Sequence, residues 1–220
     1  MKIDGSIPDN LYRIWYDPYG IDKDNKTLTL KHSLAGVFVY MLPNNITTSK
    51  GDRLVASFIG RRDTLEELDR IVWYLSEYYN AKVLFERNRG ETKTNFTKFK
   101  ALHRLCKEPG IIKDTVLDKE SNMLGISINT DLKQKGLLYL KDWLYTTLET
   151  EDNIVKYRFQ VIHDLPLLKE LLQYNHVDNF DRVSAMIIGM YDRQEILQKP
   201  IIHARYSNSS ITKFFNRKLF

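Results

Sequence analysis

Leu11-Tyr-Arg-Ile-Trp-Tyr-Asp-Pro-Tyr-Gly20 is the stretch from which the rest of the chain can be laid out. Aromatic and β-branched residues favour a strand, and here they run up to a single acid, Asp17. Pro18 lacks the N–H that a strand ladder needs, and Gly20 turns the chain. The strand is therefore predicted to end at Asp17 and to hold that carboxylate at the rim of a sheet. A rigid strand end is a good mount for a metal-binding carboxylate. Asp before Pro also starts turns with no further role, and taken alone the stretch is read more simply that way.

Upstream, residues 1–10 (Gly5, Pro8, Asp9) form a lead-in with little packing potential, and 11–198 reads as one domain. Downstream, Tyr19–Ser33 is polar and loop-like, carrying Asp22, Asp24 and Asn25. Leu34–Leu42 is apolar almost throughout and predicts a strand buried on both faces; Leu54–Gly60 predicts a third. Short connections make these three an antiparallel meander. Thr64 and Glu67 form a capping-box pair ahead of a helix marked by Leu65, Leu68, Ile71, Val72 and Leu75. Ala81–Glu86 then predicts a short buried strand ending in a second acid, and the helix before it suits a crossover to a parallel neighbour. Phe96, Phe99, Leu102 and Leu105 predict a second helix closed by Pro109-Gly110. Residues 111–129 are hard to read, with Gly125–Ile128 as a short edge strand. Helices are predicted over Asp131–Leu148, over Leu165–Tyr174 behind an Asp164 N-cap, and from near Asn179 through Tyr191. A basic, aromatic tail runs over 199–220. The fold class is α/β: a mixed sheet, three antiparallel strands followed by parallel strands, flanked by helices.

Composition narrows the function classes. The longest apolar run, Leu34–Leu42, is too short to span a bilayer, and no signal-peptide pattern opens the chain. One cysteine, Cys106, rules out an internal disulfide and suits a reducing compartment. The histidines (His32, His103, His163, His176, His203) are scattered without zinc-site spacing, and no Gly-x-Ser-x-Gly is present. Net charge is +5, yet Arg87–Lys107 holds seven basic residues against one acid, so that segment carries the whole excess. This is a localised footprint for a polyanion.

Three acids stand at comparable places: Asp17 closing the first strand, Glu86 closing the fourth, and Asp181 in the first turn of the last helix. Two-metal phosphodiester hydrolysis wants such a set. Mg²⁺ or Mn²⁺ takes hard oxygen ligands, and two ions about 3.5–4 Å apart activate water and stabilise the leaving oxygen. Each acid also has a plain structural role open to it: Glu86 as a partner of Arg87 or Arg89, Asp181 as a first-turn acid favoured by the helix dipole. The basic segment directly after Glu86 weighs against three unrelated acids.

Tyr16-Asp-Pro-Tyr-Gly20, Val83-Leu-Phe-Glu-Arg-Asn-Arg-Gly90 and Asn179-Phe-Asp-Arg-Val-Ser-Ala185 resemble, in order, the three acidic motifs of the large terminase nuclease of tailed phages. Gly60-Arg-Arg62, Gly125-Ile-Ser-Ile-Asn-Thr130 ahead of a helix with Lys135, and Leu167-Leu-Lys-Glu-Leu171 are similar too, so the resemblance covers roughly Tyr12 to Tyr191. It implies an RNase H-like fold and a Mg²⁺- or Mn²⁺-dependent endonuclease holding two divalent ions, which cuts concatemeric double-stranded DNA during genome packaging in the host cytoplasm. By motif position Asp17, Glu86 and Asp181 are the catalytic metal ligands. A further acid near the first or third motif falls on Asp22 or Asp178, either of which reads equally well as a loop or capping residue. The resemblance implies portal and small terminase subunit as partners and no membrane. One departure is clear: no Walker A loop of the family's ATPase motor occurs in these residues, which fits an excised nuclease domain or a free-standing relative.

The expected DNA surface starts with Arg87, Asn88, Arg89 and Lys93 beside the acids. It continues along the second helix through Lys98, Lys100 and Arg104, with Lys135 contributed by the resemblance. Such residues grip phosphates and carry little sequence information. Two alternatives remain open at this point: another RNase H-like nuclease of resolvase or RNase H type, and a non-catalytic DNA-binding module of the same fold.

Overall fold

Strand β1 (Tyr12–Asp17) ends at the acid before Pro18 in the computed structural model of the chain. Residues 7–20, 33–44, 51–112, 122–148, 155–175 and 178–198 are described; the first six residues, Asp22 and the tail over 199–220 lie outside them. β2 (Ala35–Met41) pairs antiparallel with β1, and β3 (Arg53–Gly60) pairs antiparallel with β2, as the meander requires. α1 (Leu65–Tyr78) crosses over to β4 (Lys82–Phe85), which lies parallel to β1. The sheet order is β3-β2-β1-β4.

Helices cover both faces of this sheet, which explains why β2 is buried at every position. Alternation sends Trp15, Phe38, Tyr40 and Leu84 to one face and Ile14, Tyr16, Val37, Val39, Val83 and Phe85 to the other. The second face packs on α1 and on α2 (Thr92–Lys98). The first packs on α5 (Asp181–Gln198), which lies under α3 (Thr130–Leu144) and beside α4 (Leu165–Gln173). A two-strand ribbon of β5 (Thr147–Leu148) and β6 (Lys156–Tyr157) follows α3. No helix among the described residues is long and apolar enough to cross a membrane.

The approach of α5 to the sheet depends on missing side chains. A Cβ on Gly189 would stand 1.9 Å from Trp15 Cδ2, so the indole lies directly on the helix backbone. Opposite, Gly136 of α3 faces Ile187 at 2.6 Å by the same measure. The Trp15 indole N–H donates to Asp192 of α5 at 3.2 Å, which satisfies the one polar atom of a wholly buried side chain.

Two helical expectations and one strand expectation are corrected. The second helix stops at Lys98 instead of running to Leu105. Its end is a Schellman turn: Ala101 N–H donates to Phe96 O, Lys100 N–H to Thr97 O, and Lys100 takes a left-handed φ of 58°. The chain then makes a separate 3₁₀ turn at Leu102–Arg104, so Arg104 and Lys98 do not share a helical face. Cys106 lies in the extended stretch beyond, not on a helix; its N–H donates to Val83 O at 2.8 Å, and burial pushes its thiol up to about 12. The helix predicted over Asp131–Leu148 starts at Thr130 behind an Asn129 cap and ends at Leu144, where the chain turns into β5. Gly125–Ile128 does not form a full strand; Ile126 makes one parallel bridge to Glu86 beyond the end of β4.

Candidate metal centre

Asp17 and Glu86 are neighbours because β1 and β4 are parallel and in register. Tyr16 pairs with Phe85, and Glu86 N–H donates to Tyr16 O at 3.1 Å, so the next residue of each strand comes side by side. Asp17 follows Trp15 and Glu86 follows Leu84 on the α5 face. Both carboxylates therefore stand at the carboxyl ends of parallel strands, on one side of the sheet.

Asp181 arrives from the third element. It opens α5, and its carboxylate is held by β2's approach: Ser33 Oγ donates to Oδ1 at 3.1 Å and Leu34 N–H to Oδ2 at 2.9 Å. Glu170 of α4 fixes the same turn, accepting from Arg182 N–H at 3.0 Å and from its guanidinium at 2.6 Å. Gly36 lets the turn close on the sheet. It is the cross-strand partner of Asp17, and a Cβ there would meet Asp181 O at 2.7 Å and Ala185 Cβ at 2.8 Å.

Asp17 is the unusual member of the set. It is 0% exposed, and neither carboxylate oxygen has a hydrogen-bond donor. Burial pushes its carboxyl well above the usual range; the Arg89 charge opposes this, while Glu86 and Asp181 reinforce it. Ionised, Asp17 lacks donors; protonated, it can donate to Glu86. A desolvated carboxylate beside two other acids fits a hard cation, which would supply the missing partner. As the side chains stand, no three His, Cys, Asp or Glu among the described residues are arranged to hold a metal ion. The Arg89 guanidinium instead reaches two of the acids, with Nη1 3.6 Å from Asp17 Oδ1 and Nε 3.3 Å from Glu86 Oε2.

The other expected residues divide. Arg87 is anchored away from Glu86, at 2.6 Å from Glu108 and donating to Gly125 O. Asn88 donates to Ser127 Oγ. Lys93 lines an open pocket with Arg87, Gly90 and Thr92. Lys98 binds Glu66 at 3.2 Å, and Arg104 grips Glu77 with two nitrogens at 2.6 and 2.9 Å, so both clamp the chain after β4 onto α1. Lys100 closes the α2 turn and is exposed; Lys135, also exposed, lies over the Tyr139 ring. Asp178 accepts from Asn175 at 2.9 Å in a local turn, the loop role left open for it. Asp22 lies outside the described residues.

Sequence reasoning missed Ser33, Leu34 and Gly36 as the seat of Asp181. A glycine inside an apolar strand was the available signal, since it marks a close backbone approach. It also missed Asp69, buried on α1, which accepts from Tyr16, Thr92 and Asn95 at 2.7–3.0 Å and so ties the start of α2 to β1. That network fixes the far end of the loop carrying Arg87–Arg89.

A scan against protein-family models and a search of curated proteins each found no match to the chain.

Proposed function

We propose that this chain is a divalent-metal-dependent nuclease of RNase H-like fold, and that its substrate is double-stranded DNA. The observation that carries this reading is the wholly desolvated, donor-free carboxylate of Asp17, in register with Glu86 and beneath the helix that presents Asp181. The order β3-β2-β1-β4, with a helical crossover to the parallel β1–β4 pair, supports the fold. Asp17, Glu86 and Asp181 would hold Mg²⁺ or Mn²⁺, and the bound ions would supply an activated water and charge stabilisation at the phosphodiester. Ser33 and the Leu34 amide orient the Asp181 carboxylate, and Gly36 sets how near it comes to Asp17. Arg89 and Lys93, on the loop and helix after Glu86, would contact the phosphate backbone. That contact makes binding salt-dependent and weakly sequence-selective. Cutting of concatemeric DNA alongside portal and small terminase subunit is the biological role that the motif resemblance supports.

The test is Mn²⁺-dependent nicking and linearisation of supercoiled plasmid by the parent, Asp17→Asn and Asp181→Asn. Loss of cutting in both variants, with folding retained in metal-free buffer, is the expected result. Cutting that survives in both removes the three acids from the active site. A second reading, a DNA-binding module without metals, draws on the Arg89 contacts, which already neutralise part of the acid set. A parent that shifts duplex DNA on a gel but neither cuts nor takes up Mn²⁺ would select it.

A further inference from the structure

Five arginines of the described residues are locked tightly onto carboxylates. Arg104, Arg158, Arg182 and Arg193 each bring a nitrogen to within 2.6–2.8 Å of a carboxylate. Arg87 does the same with Glu108 at 2.6 Å. Those are charge-assisted hydrogen bonds of the usual short length. Arg89 is different. Its contacts to Asp17 and Glu86 are 3.6 and 3.3 Å, neither Asp17 oxygen gains a hydrogen bond from it, and its side chain is 38% exposed.

Its setting differs as well. The loop from Glu86 to Thr92 is fixed at nearly every other point. Glu86 is bridged to Ile126, Arg87 is tied to Glu108 and Gly125, Asn88 to Ser127, and Thr92 to Asp69. Arg89 alone in that run reaches inward to the acids, followed by Gly90 at a φ of +72°. A long, solvated, weakly aligned cation therefore lies against a carboxylate that is fully buried and has no other donor.

The geometry points to Arg89 as a placeholder cation. Resting on the nuclease reading above, the inference is that Arg89 neutralises the Asp17–Glu86 pair before metal binds, is displaced when a divalent ion takes up those carboxylates, and then offers its guanidinium to the DNA phosphate at the acid cluster. Metal loading and backbone contact become one exchange: the same charge that opposes the ion in the free protein holds the substrate once the ion is in. Arg suits the second task because its planar fork matches a phosphate, and it remains charged throughout.

The experiment is Mn²⁺ titration calorimetry on the parent, Arg89→Ala, Arg89→Lys and Asp17→Asn without DNA. Fluorescence anisotropy of a labelled duplex in Ca²⁺ and in chelator accompanies it. Expected for Arg89→Ala is tighter Mn²⁺ binding, on the order of tenfold, since a competing positive charge has been removed from beside the ligands. Duplex binding in Ca²⁺ weakens in the same variant, with a salt slope shallower by about one phosphate contact. Arg89→Lys keeps the charge and stays near the parent in Mn²⁺ affinity. A merely structural arginine would weaken both readouts together on removal, so opposed signs are the signature. If the parent binds Mn²⁺ in an Asp17-dependent way but Arg89→Ala binds it no more tightly, the placeholder role is overturned while the metal site stands. If no protein shows Asp17-dependent uptake, the metal reading falls and takes this inference with it.

Discussion

Gly36 lies directly beneath Asp181: a methyl group on Gly36 would come within 2.7 Å of the Asp181 carbonyl oxygen. Since Gly36 is also the cross-strand partner of Asp17, one hydrogen atom in place of a side chain sets the spacing between two of the three acids. Gly36→Ala is therefore expected to lift the first turn of α5 without unfolding the chain. Backbone shifts of this kind cost about 1–3 kcal/mol. The sharper consequence falls on the acid cluster, where Mn²⁺ affinity should fall roughly tenfold or more because ligand placement tolerates little slack. Calorimetry beside a melting curve separates the two effects. Unchanged Mn²⁺ affinity in a variant that melts earlier would show that the close approach matters only to packing.

Asp17 makes a prediction about pH. Its folded carboxyl titrates well above the usual range, first because it is buried and further because Glu86 and Asp181 are near. In the unfolded chain it titrates near the ordinary value of about 3.9. Between those two points the folded state holds a proton that the unfolded state has released. Stability from this group is thus fully present below the unfolded value and is lost as pH rises through the folded one. Asp17→Asn removes that loss. In chelator, the variant should melt with the parent near pH 4 and progressively above it towards pH 8, by an amount equivalent to about 1–3 kcal/mol for an unsatisfied buried group. The difference between variant and parent cancels other titrating acids such as Asp69, whose carboxyl burial also raises. A variant less stable than the parent at pH 8 without metal would mean that Asp17 is well satisfied as an anion.

Much of this was legible because it was local. Pro18 marked the end of β1, Thr64 and Asp164 marked helix starts through bonds spanning three residues, and the unbroken apolar run of β2 announced burial on both faces. The acids were legible as strand-end and helix-start residues, and sheet register brings Asp17 and Glu86 side by side. The end of α2 was hidden because Lys100, not glycine, takes the left-handed position of its closing turn. The same turn ends α1 at Asn80, a residue that announces it better. Lys98 and Arg104 looked like a solvent-facing basic stripe because their partners Glu66 and Glu77 lie 32 and 27 residues away. Spacing within a helix carries no information about charges on a neighbouring one. The seat of Asp181 was hidden for the same reason, since Ser33 and Leu34 are 148 and 147 residues distant in sequence.

Asp52 is the clearest case of a residue whose role only the fold reveals. It sits at a φ of 56° just before β3 and accepts five hydrogen bonds from four residues in four parts of the chain. It accepts from the Tyr40 hydroxyl, from Trp143 Nε1 at 3.2 Å, from Arg158 at 2.7 Å and from Arg193 at 2.8 and 3.0 Å. Burial alone would raise its carboxyl, but the Arg193 hydrogen bonds and charge, with Tyr40 and Arg158, hold it below the usual range. Removing the acid leaves two buried guanidinium groups without their counter-charge, and breaking a buried pair in this way typically costs about 3–5 kcal/mol. Asp52→Ala should therefore lower the urea midpoint steeply. Asp52→Asn should recover part of the loss through its remaining carbonyl acceptor. The sign with pH is opposite to that of Asp17: the stabilisation from Asp52 is present above the ordinary carboxylate value and disappears as pH falls through the depressed one. Because its network joins β2, α3 and α5 on the α5 face, the fraction of Asp52→Asn that remains folded should bind Mn²⁺ as the parent does. A loss below about 1 kcal/mol in Asp52→Ala would mean that water replaces the carboxylate and that the two arginines are not desolvated as placed.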